Sequence, residues 1–201
     1  MKYILILLTP AILLLSCSKN SPGEPNTQDS TFTDIRDGQV YTFSHFGSQV
    51  WMTQNLNYVI DSSWCYDNNS ENCDTFGRLY NWDAAMNAAP AGWHLPSYSE
   101  WQTLTAYLGG NEVAGGAMKD TILWSAPNTG GTNSSGFRAL PGGRSDYPSF
   151  DYVYKYMLAE WWSSTEVSTY ATAVSVEYRL PYALGYTGYK SIRYSVRCIR
   201  N

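Results

Sequence analysis

Charge is scarce in this sequence: thirteen Lys and Arg with seventeen Asp and Glu make up 15% of 201 residues and leave a formal net charge of −4. Nucleic-acid binding rests on clustered Lys and Arg, so this mild acidity speaks against nucleic acid as a partner. Histidine is scarcer still, at His45 and His94 alone, and cysteine occurs four times. No second cysteine pair accompanies Cys65 and Cys73, and the histidines stand apart, which is not the spacing of a zinc site. Long apolar runs are missing save one, from Ile4 to Leu15, broken only by Thr9 and Pro10. Crossing a hydrocarbon core takes about 20 helical residues, so this run is too short for a permanent span. Internal repeats are absent as well.

The apolar run follows Lys2 and ends in Leu14-Leu15-Ser16-Cys17, the anatomy of an export signal. This ending resembles the bacterial lipobox, in which a small residue precedes a cysteine whose thiol accepts diacylglycerol. Residues 1–16 therefore read as a lipoprotein signal peptide, and Cys17 as the lipidation site. Residues 17–32 read as the lipidated cysteine and a flexible tether, polar and carrying Pro22, Gly23 and Pro25. One acyl chain anchors only marginally, and the several chains of a lipoprotein hold durably. The membrane is thus the first expected partner, through a lipid anchor. Ser18 stands where aspartate would favour retention in the inner membrane, so the lipoprotein resemblance points to the bacterial outer membrane.

What remains, residues 33–201, suits one domain with a single core. Val40-Tyr41-Thr42-Phe43 and Gln49-Val50-Trp51-Met52 flank a turn and predict a hairpin. Tyr80 to Ala89 is alanine-rich and stops at Pro90, as a helix must. Ser97-Tyr98-Ser99-Glu100 is a capping-box signature, and Trp101, Leu104, Thr105 and Leu108 follow on one helical face up to Gly109-Gly110. Residues 115–143 are glycine-rich and read as long loops. Near the end, Val174, Val176 and Tyr178 alternate with polar residues, as do Ile192, Tyr194, Val196 and Cys198. Such alternation predicts antiparallel strands with one wet face. Two helices, twisted antiparallel sheets and long loops make an α+β domain.

Six segments in order resemble one family: Gln49-Val50-Trp51-Met52-Thr53-Gln54-Asn55-Leu56-Asn57-Tyr58, Gly77-Arg78-Leu79-Tyr80-Asn81-Trp82, Gly92-Trp93-His94-Leu95-Pro96-Ser97, Ala139-Leu140-Pro141-Gly142-Gly143, Trp161-Trp162-Ser163-Ser164-Thr165-Glu166 and Ser195-Val196-Arg197-Cys198-Ile199-Arg200. They look like the Fibrobacter succinogenes major paralogous domain. That family is in turn similar to the C-type-lectin-like fold and its formylglycine-generating-enzyme branch. The resemblance implies that the N- and C-terminal strands pair and bring the tether near Asn201. It implies no activity, since none is general to the family. Members often carry cysteine just before the Pro-x-Gly-Trp motif, where this chain has Ala89, so any family disulfide from that position to Cys198 is missing.

Cysteine allocation bears on function. An exported pair across a short polar loop usually bridges, so Cys65 and Cys73 are expected to form a disulfide. Cys198 then has no partner thiol, and formylglycine-generating catalysis needs a reactive pair to hold copper. Calcium has candidate oxygens at Asp67, Asn69, Glu71 and Asp74, the hard ligands that ion takes. Surface turns are rich in the same residues, and no cofactor is assigned. His94 reads as a packed residue with no carboxylate nearby, and Trp161-Trp162 as core. Ten of seventeen tyrosines fall between Tyr147 and Tyr194. Tyr147, Tyr152, Tyr154, Tyr182, Tyr186 and Tyr189 are the candidate contacts for a glycan or protein ligand, displayed on glycine-bearing loops. The leading expectation is a lipid-anchored, non-catalytic binding domain. The alternatives are a divergent formylglycine-generating-type enzyme and a structural envelope or assembly subunit.

Overall fold

The computed structural model describes residues 30–201; the expected signal peptide, the expected lipidation site Cys17 and most of the expected tether lie outside them. The expected hairpin forms, with Val40–Phe46 paired to Gln49–Met52 around the two-residue turn Gly47-Ser48. Gly47 adopts φ +61°, the positive value that the first position of such a turn requires. This hairpin seeds a five-stranded antiparallel sheet in the order Ser30–Thr33, Val40–Phe46, Gln49–Met52, Ile199–Arg200, Trp93–His94. The two ends of the domain share the sheet without being direct neighbours. Ile199 pairs with Trp51, and Ser30–Thr33 lies three strand spacings away, about 14 Å.

A six-stranded sheet packs beside it, ordered Ala183–Tyr189, Tyr170–Glu177, Leu158–Val167, Tyr194–Ser195, Leu79–Tyr80, Ser63–Trp64. All its pairings are antiparallel except the bridge of Ser195 to Trp161. A third, two-stranded sheet joins Arg144–Ser145 to Tyr152–Val153. The closing segment is one run in the alternation pattern but two strands in space. Tyr194–Ser195 belongs to the six-stranded sheet and Ile199–Arg200 to the five-stranded one.

The expected alternation holds where buried Val174 and Val176 are interleaved with half-buried Ser175 and Glu177, but the closing segment has no wet face at Ser195 and Arg197, which are buried too. Tyr41, Phe43, Met52, Trp162, Tyr194, Val196 and Cys198 point into one apolar cluster. Phe46, Trp51 and Trp161, of opposite parity on the same strands, point into another together with Val174, Val176 and Ile199. Adjacent Trp161 and Trp162 thus serve different cores, both fully buried. Each indole N–H finds an acceptor, Trp161 at Asn55 Oδ1 (2.8 Å) and Trp162 at the Tyr80 carbonyl (2.8 Å).

Four α-helices form where two are expected. Trp82–Ala88 and Tyr98–Tyr107 are the anticipated pair, capped by Asn81 and Ser97. Ser97 and Glu100 complete the capping box, and Trp101, Leu104 and Thr105 are buried on the predicted face. The additional helices are Ser70–Phe76, capped by Asn69, and Asn111–Met118. The latter contains Gly115-Gly116, which local propensity reads as a breaker. Packing demands them: a Cβ on Gly115 would sit 2.0 Å from the Tyr182 carbonyl oxygen, and one on Gly116 2.5 Å from that of Gly130. Beyond that helix Lys119 is buried, and its Nζ donates to the carbonyls of Thr129, Glu177 and Leu180 at 2.8, 2.8 and 2.9 Å.

Candidate functional site

The Cys65–Cys73 disulfide is present. It closes a short 3₁₀ turn, Tyr66–Asn68, onto the helix Ser70–Phe76. This helix disperses the candidate calcium oxygens. Asn69 spends its side-chain oxygen on the Glu71 amide at 3.0 Å, and Asp67 faces Lys155 at 3.8 Å. Glu71 occupies the first helical turn, while Asp74 is exposed one turn on. Among the described residues no three His, Cys, Asp or Glu side chains gather as metal ligands.

His94 is hydrogen-bonded as expected but not packed away, with 39% of its side chain exposed, and a carboxylate does lie beside it. Its Nε2 meets Glu100 Oε1 at 2.9 Å and its Nδ1 meets Asn201 Oδ1 at 2.7 Å. Burial opposes ionisation of Glu100, yet the Ser97 amide, His94 and the Ser97 hydroxyl together hold its carboxyl below the ordinary range. The ring is a strut between a helix cap and the chain end. Cys198 is the free cysteine among the described residues, fully buried, with its thiol pushed up to about 12 by desolvation.

The six tyrosines do not form one surface. Tyr147 and Tyr189 meet with ring centroids 6.1 Å apart, joined by Phe150 at 5.7 Å from Tyr147 and Tyr170 at 4.7 Å from Tyr189. Tyr147, Phe150 and Tyr189 are 48%, 39% and 50% exposed, a cluster of large rings held in water. Arg193 extends it, its guanidinium 3.5 Å above the Trp64 ring and 4.4 Å from Phe150. Tyr152 is half-buried beside this patch, donating to Asn68 Oδ1 at 2.9 Å. Exposed Tyr154 packs under Arg144, whose Cζ is 4.9 Å from the ring centroid. Tyr186 turns inward and donates its hydroxyl to Glu160 Oε1 at 2.5 Å. Tyr182 precedes the far end of the strand that carries Tyr189, seven residues and about 23 Å away.

A partly buried network adjoins the patch through Asp146. Arg144 donates to Glu160 at 3.0 Å and to Asp146, the residue before Tyr147, at 2.5 Å. Burial raises the Glu160 carboxyl, against the pull of Arg144 and Tyr186. Its second oxygen has no hydrogen-bond partner among the described residues.

Sequence reasoning missed a cleft of about 180 Å³ on another part of the molecule. Its floor is Asn55 and Arg197. Asn55 Oδ1 accepts from Arg197 Nε at 2.9 Å and Nη2 at 2.7 Å, while Nη1 donates to the Phe137 carbonyl at 2.6 Å. Desolvation pulls the Arg197 guanidinium down to about 9. Its walls come from segments far apart in the chain, including Gln54, Asn57, Asp74, Asp120 and Ile122. Only the clustered amides of Gln54-Asn55-Leu56-Asn57 offered a hint in the sequence.

The fold defines an α+β domain of curled, largely antiparallel sheets with four helices, wrapped around two apolar clusters. The chain belongs to the Fibrobacter succinogenes major domain family, whose model matches residues 45–200. No curated protein and no solved structure matches it. No helix among the described residues is long and apolar enough to cross a membrane.

Proposed function

We propose that this protein is a lipid-anchored, non-catalytic domain of the bacterial outer membrane, built on a C-type-lectin-like fold, that holds a glycan or protein ligand on an aromatic loop surface. The observation that carries the reading is the exposed cluster of Tyr147, Phe150 and Tyr189. Contiguous apolar surface in water marks an interaction site more often than scattered residues do. Tyrosine supplies broad contact area with little conformational entropy to lose. The rings stand on the rigid frame of the six-stranded sheet and on the loop tied down through Arg144 and Asp146. The burial of Cys198, away from any second thiol among the described residues, supports the non-catalytic part.

A glycan-array and pull-down survey of wild type against the Tyr147→Ala/Tyr189→Ala double variant tests the binding. Hits that weaken by about tenfold or more in the variant are expected, as for paired aromatic anchors. Hits indifferent to both substitutions, or none, defeat this reading. Metabolic labelling with a palmitate analogue, lost on Cys17→Ala, tests the anchor separately.

A further inference from the structure

We infer that the aliphatic side chains around Arg36 lie against the lipid surface itself, so that the domain sits on the bilayer in one orientation instead of turning freely on its anchor. The inference rests on the lipid anchor at Cys17 proposed above and concerns residues outside the aromatic loops.

Arg36 ties three segments of the chain together. Its Nε and Nη2 hold the buried Asp34 carboxylate at 2.9 and 2.6 Å, and its guanidinium lies 3.7 Å from the centre of the Tyr58 ring. Nη2 and Nη1 also donate to the carbonyls of Ala88 and Ala89, at 2.9 and 3.2 Å, where the helix Trp82–Ala88 ends. Each of these segments keeps an aliphatic side chain in water. Ile35 is 90% exposed, Val59 68% and Met86 43%, and Val40, whose strand partner is Thr33, is 50% exposed. A lone exposed aliphatic residue is ordinary. Ile35 and Val59, however, are the two most exposed large apolar residues of the described chain, and one guanidinium joins their loops. Grouped apolar exposure marks a contact surface for a protein or a membrane.

The layout of the chain favours the membrane. Ser30, the first described residue, is thirteen positions after Cys17. Even fully extended, that length keeps Ser30 within about 47 Å of the acylated residue. Ile35 follows five residues later, at most about 18 Å further along the chain. Tethering makes the encounter with lipid intramolecular, so a patch too small to bind a membrane alone is held at high effective concentration beside one. A partner in solution has no such advantage.

Charge narrows the kind of lipid. Asp34 and Arg36 cancel. Asp37 and Asp61 are exposed carboxylates, each two residues from an aliphatic side chain of the patch. Anionic headgroups are drawn to clustered Lys and Arg, and these carboxylates oppose them. The surface suits zwitterionic lipid, entered by apolar side chains.

Cysteine allocation makes a test selective. Cys65 and Cys73 are bridged and Cys198 is buried, so one introduced thiol takes a bimane label. Protein purified from the membranes of expressing cells is reconstituted into phosphatidylcholine vesicles, with and without a lipid spin-labelled near its headgroup. Labels at Ile35→Cys and Val59→Cys should lose emission to the spin-labelled lipid. A label at Leu184→Cys should keep it, because the strand Ala183–Tyr189 is the opposite edge of the six-stranded sheet from Ser63–Trp64, about 24 Å across. Wild type without an introduced cysteine reports on Cys17. Labelling there, or failure to float with the vesicles, defeats the anchor and this inference with it. Vesicle-bound protein in which the first two labels are quenched no more than the third overturns this inference alone. So do blue-shifted but unquenched labels at those two positions, which would put protein over the patch. The Ile35→Asp/Val59→Asp variant changes exposed positions that the fold does not depend on. It should abolish the quenching of a label at Val40→Cys while the protein stays on the vesicles; quenching that persists there also overturns the inference.

Discussion

Three N–H groups converge on a single amide oxygen at Asn55: Nε and Nη2 of Arg197 and the indole of Trp161, all within 2.9 Å. Its own amide donates to the Phe76 carbonyl at 2.8 Å. This one side chain solvates a buried cation, so its loss exposes the full penalty of that charge. Breaking such a pairing typically costs about 3–5 kcal/mol. Asn55→Ala should therefore lower the unfolding free energy by about that amount in urea titrations, while Asn57→Ala two positions on stays within about 0.5 kcal/mol of wild type. A variant at Asn55 as stable as wild type would refute the assigned role. The spacing of apolar residues identifies Trp101 and Leu104 as core, and both are fully buried. Arg197 is misassigned by the same logic. The alternation of Tyr194, Val196 and Cys198 places it on the polar face, yet Phe137, Trp161 and Trp101 pack over that face as a cluster with centroids 5.6–6.0 Å apart. A buried cation with only carbonyl partners leaves no complementary charge in the sequence to announce it.

At the scale of elements, the helix Tyr98–Tyr107 begins on the Ser97–Glu100 box and is braced by His94. Removing the cap with Ser97→Ala should cost about 1 kcal/mol. The pH dependence has a definite sign. Glu100 is held below its ordinary value of 4.5, so its stabilising contribution is complete above that pH. It is lost as pH falls through the lower folded-state value, where the native carboxylate takes up its proton. Thermal melts between pH 3 and 7 should show wild type and Ser97→Ala drawing together at the acid end, with the largest gap near neutrality. A constant gap across that range would contradict the linkage. The capping box was legible because it is a local code. Ser70–Phe76 and Asn111–Met118 were not legible, for two different reasons. The first is short and polar and is pinned from outside its own sequence by the bond from Cys65 to Cys73. The second needs glycines only because distant backbone, at Gly130 and Tyr182, presses against it.

Across the whole molecule, the fold class was readable from strand alternation and two clear helices, whereas the double core was not. Both parities of a strand count as interior only when something covers each face, and the covering elements come from elsewhere in the chain. The same non-local quality scattered the cleft residues between positions 39 and 197. The exposed tyrosines were found by composition, and three dimensions then sorted them, leaving Tyr147 and Tyr189 together, Tyr186 inside and Tyr182 apart. The closing segment makes a prediction at this scale. Tyr194–Ser195 and Ile199–Arg200 are interior strands of the two large sheets, and Arg197 between them reaches Asn55 across 142 positions. A chain ending at Ile192 loses both strands and the cation. That exceeds a net stability of about 5–15 kcal/mol, so calorimetry should find no cooperative transition; a sharp one would show that the sheets close without their last members.

The placement of those final residues also sets an order of events. A chain emerges N-terminus first, at about 5–20 residues per second, and here the central members of both large sheets arrive last. Until they do, the earlier strands lack the neighbours they are built to hold. The topology therefore postpones closure of both sheets until the last residues of the domain are available to pair.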